Sequence, residues 1–135
     1  MTSVILPNEL TFIEQITSPE GKSGTEGTEY WKGQCRGVSV FIKKVKNQSI
    51  PDTRRRDIEK TLELSRKIHH PNLVSYFGVC QDHEDLVIVT EFCEGGNLNK
   101  FLPKIGETRT HISMQECFRI AKEMAAALAY LQKEA

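Results

Sequence analysis

Along the first half of the chain, apolar and polar residues alternate with a period of two; in two later stretches the period becomes helical. "LTFIEQI" (10–16) and "TEYWKGQ" (28–34) read as strands separated by the Gly-, Ser- and Thr-rich loop "TSPEGKSGTEG" (17–27). Gly33 and Gly37 bound a turn into "GVSVFIKKVK" (37–46), the clearest alternation in the chain. Successive side chains of a strand point to opposite faces. Val38, Val40, Ile42 and Lys44 therefore share one face, and Ser39, Phe41, Lys43 and Val45 share the other. "LVSYFGVCQ" (73–81) and "DLVIVTEF" (85–92) are short, apolar and β-branched, and predict two buried strands joined by the polar turn "DHE".

The period changes after residue 50. Ile58, Leu62, Ser65 and Ile68 recur at helical spacing, with Pro51 and Asp52 suited to a first turn. His70-Pro71-Asn72 ends that helix, because a residue before proline avoids helical geometry. "CEGGN" is a break, and "LNKFL" predicts a helix of barely two turns. Near the end, Ser113 followed by Glu116 is a capping-box start. Met114, Cys117, Ala121, Met124, Leu128 and Leu131 then form an apolar stripe. No obvious partner for that stripe is visible, so exposed apolar surface or self-association is expected. Strands and helices are segregated, which predicts an α+β fold.

Composition narrows the chemistry. Lys plus Arg number 18 and Asp plus Glu 18 in 135 residues, so no global field draws nucleic acid or an anionic membrane. No apolar run approaches the roughly 18 residues of a membrane helix, and the start "MTSVILPNEL" has no leader character. Cys35, Cys80, Cys93 and Cys117 are too widely spaced for a zinc pattern and read as reduced thiols of a cytoplasmic protein. His69 and His70 read as turn residues, since nothing nearby completes a metal site. "RRR" (54–56) sits in the first turns of a helix, where cations oppose the dipole; a solvated face explains it better than a docking site. "GKSG" lacks the earlier glycine of a P-loop, position 17 being threonine.

Four stretches, in order and at matching intervals, resemble a protein kinase of the tyrosine-kinase and tyrosine-kinase-like groups. "VFIKKV" is similar to the strand that carries the kinase lysine, and "LELSRKIHHPNLVSYFGVC" to the C-helix running into the next strand. "LVIVTEFCEGGNLNKFL" is similar to the gatekeeper strand, hinge and following helix, and "FRIAKEMAAALAYLQ" to the long helix before the catalytic loop. The resemblance covers roughly residues 10–134. It implies a five-stranded antiparallel N-lobe sheet plus C-helix over 1–92, a hinge at 93–96 and the first C-lobe helices over 97–135. It also implies ATP as ligand, held by Ile16, Gly24, Gly27, Lys43, the gatekeeper Thr90 and the backbone of Glu91 and Cys93. The family's H-R-D and D-F-G motifs, which supply the base and the magnesium ligands and should follow the last helix, are not in the sequence given, so phosphotransfer by this chain alone is not expected.

Several positions depart from the family pattern. Phe41 stands where the family keeps a small residue against adenine, so its ring is expected to block the purine seat and leave ATP binding weak or lost. Nine residues before His70, where the C-helix glutamate should pair with the lysine, stands Thr61. Glu59 and Glu63 lie two residues either side, about 200° round the helix. Lys22 replaces the first loop glycine, Glu29 replaces the valine that covers adenine, and the loop is about five residues longer than the motif. The expectation is a pseudokinase-like module that binds other signalling proteins through its C-helix and sheet surface. The alternative is a fragment of an active ATP-binding kinase with an unusual site.

Overall fold

The alternating segments form one sheet in the computed structural model, which describes residues 3–16, 27–46, 51–82, 84–102 and 112–134. Its strands are β1 (Ser3–Val4), β2 (Leu10–Ile16), β3 (Thr28–Cys35), β4 (Val38–Lys46), β5 (Tyr76–Asp82) and β6 (Asp85–Glu91). Their spatial order is β1-β5-β6-β4-β3-β2. The five strands from β2 onward are antiparallel to their neighbours, as the alternation predicts. β1 adds a short parallel strand on β5, pairing Ser3 with Gly78 and Val4 with Val79. Two residues are too few for alternation to announce. The 73–81 run joins the sheet only at Tyr76, because the turn after Pro71 occupies its first residues.

Topology forces this sheet to roll. Residues 5–9, including a 3-10 turn at Pro7–Glu9, connect β1 on one border to β2 on the other. Six Cα steps reach at most about 20 Å. A flat sheet of this order would set those borders roughly 24 Å apart. The concave side is accordingly closed around Ile5, Leu10, Cys35, Val40, Ile42, Cys80, Val87 and Val89. Val40, Ile42, Val87 and Val89 have 0 % exposure, within a cluster made of strand residues and Ile5. Phe12 meets Trp31 edge-on against this core, with centroids 5.5 Å apart.

Lys44 lies on the same side. It is not a plain surface lysine. Its Nζ sits 5.6 Å from the Phe12 ring centroid and 3.7 Å from Asp85, and its side chain is only 24 % exposed. The aliphatic stem runs along apolar surface while the charge finds a carboxylate.

A polar clasp fastens the seam. Arg36, in the β3–β4 turn at φ 51, donates from Nη2 to Glu9 Oε2 at 3.0 Å, and the Leu6 N–H donates to the same oxygen at 3.1 Å. The Arg36 hydrogen bond, followed by that of Leu6, holds the Glu9 carboxyl below its ordinary value of 4.5. A depressed carboxylate contributes stability above its unfolded value and loses it as pH falls through the folded one. The stability gap between the natural chain and Glu9→Gln, followed by urea unfolding, should therefore be constant near neutrality and close below pH 4.5. A gap that widens on acidification would contradict this.

Helix α1 (Asp52–Lys67) begins where Arg55 N–H reaches Pro51 O at 3.0 Å. Ile58, Leu62 and Ser65 form its half-buried face, and no residue of it is fully buried. The chain divides into two units, one of residues 1–67 and 74–92, the other of 68–73 and 93–135.

The second unit contains α2 (Leu98–Phe101) and α3 (Met114–Glu134). Ser113 caps α3, its Oγ accepting the Glu116 N–H at 3.1 Å. The face α3 uses within this unit differs from the expected stripe. Ile120, Glu123, Tyr130 and Leu131 are half-buried and Ala127 is buried, whereas Met114, Cys117, Ala121, Met124 and Leu128 are exposed. The used face packs on the turn at 68–73, a polar backbone segment that asks for hydrogen-bond partners and a small residue rather than for Met and Leu.

Candidate functional site

Cross-strand pairing decides which side chains meet, because directly opposed residues share a face. Lys32 pairs with Phe41, Phe41 with Thr90, and Thr90 with Tyr76. The neighbouring row runs Ile16, Tyr30, Lys43, Ile88, Val79. Both rows lie on the face opposite the core. Four residues singled out from the sequence, Ile16, Phe41, Lys43 and Thr90, thus come together on one side of the sheet.

Within this array the Tyr30 and Phe41 rings lie 5.7 Å apart, tilted by 31°. Lys32 places Nζ 4.7 Å from the centroid of the Phe92 ring, a cation–π contact. Lys43 is half-buried, directly across from Tyr30, and no carboxylate of the described residues lies within ion-pair distance of it. Thr61 is exposed on α1 and donates its hydroxyl to its own helix, at Asp57 O, 2.8 Å away. Ser65 does the same toward Thr61 O, also at 2.8 Å. The Tyr76 hydroxyl is enclosed without a partner in hydrogen-bond geometry; burial pushes its pKa up, opposed by nearby Arg66.

Register revises one sequence assignment. Glu29 pairs with Lys44 and so lies on the core side, where its Oε2 accepts the Trp31 Nε1–H at 3.3 Å. The strand residue that stands over Lys43 is Tyr30, which motif spacing passed over. Parity counted back from Lys43 through the β3–β4 turn would have found it.

The remaining positions are distributed as follows. Gly27 has φ 91 and gives its carbonyl to the Lys46 N–H at 2.8 Å, which anchors the end of the loop to β4. Gly24 and Lys22 lie outside the described residues. Glu91 ends β6 and is bound twice to Ser75: its N–H donates to Ser75 O at 2.8 Å, and its Oε2 accepts the Ser75 N–H at 3.0 Å. Cys93 belongs to the second unit, where its carbonyl accepts the Gly96 N–H at 3.1 Å. A cavity of about 300 Å³ beside the β3–β4 turn is lined by Ile5, Cys35, Arg36, Val38, Tyr76 and Phe77 and includes none of Phe41, Lys43 or Thr90. Among the described residues no His, Cys, Asp and Glu cluster could hold a metal, and no helix is long and apolar enough to cross a membrane.

A family model described as protein tyrosine and serine/threonine kinase matches residues 12–135. Serine/threonine-protein kinase 12 of Arabidopsis thaliana is 29 % identical over 122 residues, covering 90 % of this chain and 25 % of that protein. Dual specificity protein kinase shkB of Dictyostelium discoideum is 30 % identical over 109 residues, 81 % of this chain and 16 % of that protein. Tyrosine-protein kinase SRK3 of Spongilla lacustris is 32 % identical over 106 residues, 77 % of this chain and 30 % of that protein. The chain therefore corresponds to under a third of the length of these relatives. With the lysine strand, the gatekeeper strand and the helix between them in kinase order, the chain belongs to the protein tyrosine and serine/threonine kinase family.

Proposed function

We propose that this part of a protein kinase domain has a degraded nucleotide site and acts as a pseudokinase-type module that binds other signalling proteins. The observation that carries the reading is Phe41. Its ring lies on the Lys43 face, opposite Thr90 and packed against Tyr30, where the family seats a purine. The phosphate end fits ATP better than the purine end does: Lys43 is in place, while bulk fills the neighbouring position. Thr61, at the position of the glutamate that would orient Lys43, carries no charge for an ion pair, and its hydroxyl donates to Asp57 O. Partners would engage α1, which is largely exposed, and the half-buried sheet face opposite the core.

The test is nucleotide binding by the natural protein. Ligand present at a hundredfold excess over its dissociation constant adds about 2.7 kcal/mol of stability. Millimolar Mg-ATP should leave the unfolding midpoint unchanged. A clear, saturable rise would overturn the degraded-site reading.

A second reading is favoured by one specific fact: Ile16, Lys43 and Thr90 keep their places on one face, and the similar proteins are named as kinases. On that reading the chain is a piece of an active ATP-dependent kinase that accepts the nucleotide in an altered pose. The same titration separates the two.

A further inference from the structure

We propose that the turn at 68–73 is a proton-sensitive latch on α3, governed by His70. Four contacts converge there. The Asn72 N–H donates to His70 Nδ1 at 3.1 Å. The His70 ring lies on Tyr130, centroids 5.0 Å apart and tilted by 39°. The His69 N–H donates to the Tyr130 hydroxyl at 3.0 Å. The Asn72 side-chain amide donates to Glu123 O at 3.1 Å.

Only a neutral imidazole carrying its proton on Nε2 can accept at Nδ1; in the charged ring both nitrogens are donors. Adding a proton at Nδ1 sets two N–H groups against each other across the Asn72 contact. An imidazolium gains from the face of Tyr130. That gain requires the stacked pose, which is the pose that aims Nδ1–H at Asn72. The ring must turn, and the tyrosine it leaves is the one that accepts from His69. Among the described residues of these two elements, the other titratable or charged groups include His69 in the same turn, Glu123 with Arg119 on its carboxylate at 3.3 Å, and Lys133 and Glu134 in the last turn of α3. The latch is closed while the ring is neutral and released when it takes up a proton.

The experiment is an NMR titration of the labelled chain from pH 8 to 5.5, with His69→Gln so that a single imidazole reports on the turn. At the alkaline end His70 should show an unprotonated Nδ1. The Asn72 and position-69 amides should follow the His70 ring through one shared midpoint. Exchange of the Asn72 amide, normalised for its intrinsic pH dependence, should rise about fivefold as that hydrogen bond is lost. His70→Asn supplies a side-chain oxygen that accepts the same N–H two residues on without titrating, and should abolish the response. The proposal fails if Nδ1 carries the proton at pH 8, if the ring titrates while the Asn72 amide stays still, or if His70→Asn responds to pH as the parent does. The tautomer measurement needs no variant, so it decides even if a substitution disturbs folding.

Discussion

Phe41→Ala is expected to create nucleotide binding while weakening the fold. Truncating a fully buried phenylalanine costs about 3–5 kcal/mol; Phe41 is half-buried, so a loss of about 1–3 kcal/mol is expected in the absence of ligand. The same truncation removes the ring that meets Tyr30 and opens the row between Lys32 and Thr90. Mg-ATP should then bind at least tenfold more tightly than to the parent, a difference of about 1.4 kcal/mol or more. Millimolar nucleotide should accordingly recover part of the lost stability. Adding Lys43→Met should remove the recovered part, because the phosphates lose their cation while the opened seat is unchanged. If Phe41→Ala is destabilised and nucleotide does nothing for it, the ring is merely packing, and steric exclusion of the purine is the wrong explanation.

The second large effect is expected at Gly33, which is buried on the core face of β3 opposite Val40 and Phe12. A Cβ built there would collide with the backbone carbonyl of Thr11 and with Ile42 Cδ1. A side-chain tip can swing away, but the carbonyl belongs to the β2–β3 ladder. Gly33→Ala should cost about 1–3 kcal/mol or more by overpacking. Gly37→Ala meets nothing within 4 Å, and only its φ of 79 opposes it, at about 1 kcal/mol. Gly95→Ala, with open space and no positive φ, should be close to neutral. Urea unfolding of the three variants should rank them in that order. Gly33→Ala at parental stability would mean that β2 is displaced more easily than its pairing implies.

The sheet was legible in the sequence wherever a strand was long enough to alternate. β2 and β4 begin and end where the pattern predicts, and the two faces of β4 carry the residues assigned to them. What escaped was of two kinds. Ser3 and Val4 become a strand because the rolled sheet offers β5 an unpaired border, and two residues hold no period to read. Glu29 and Tyr30 were exchanged because the glycine motif was counted forward from a loop, whereas side-chain direction is fixed by the ladder on the far side of the turn. In α3 the hydrophobic stripe was real as composition, yet the contacts within the second unit go to Ala127, Tyr130 and the backbone of Glu123. A turn that donates the His69 N–H and the Asn72 side-chain amide to α3 selects acceptors there, a property that does not appear on a hydropathy scale. Lys44 shows the same limit: a charge predicts water, but Asp85 and the Phe12 ring offer it a sheltered place instead.

The strict pairing of β4 with strands on both flanks has a consequence for how this surface can change. Adding or deleting one residue between Val38 and Lys43 would trade inside for outside, sending Ile42 into water and driving a phenyl ring and an ammonium into the dry interior. The chemistry of that surface is therefore open to exchange one side chain at a time, whereas its length is not negotiable.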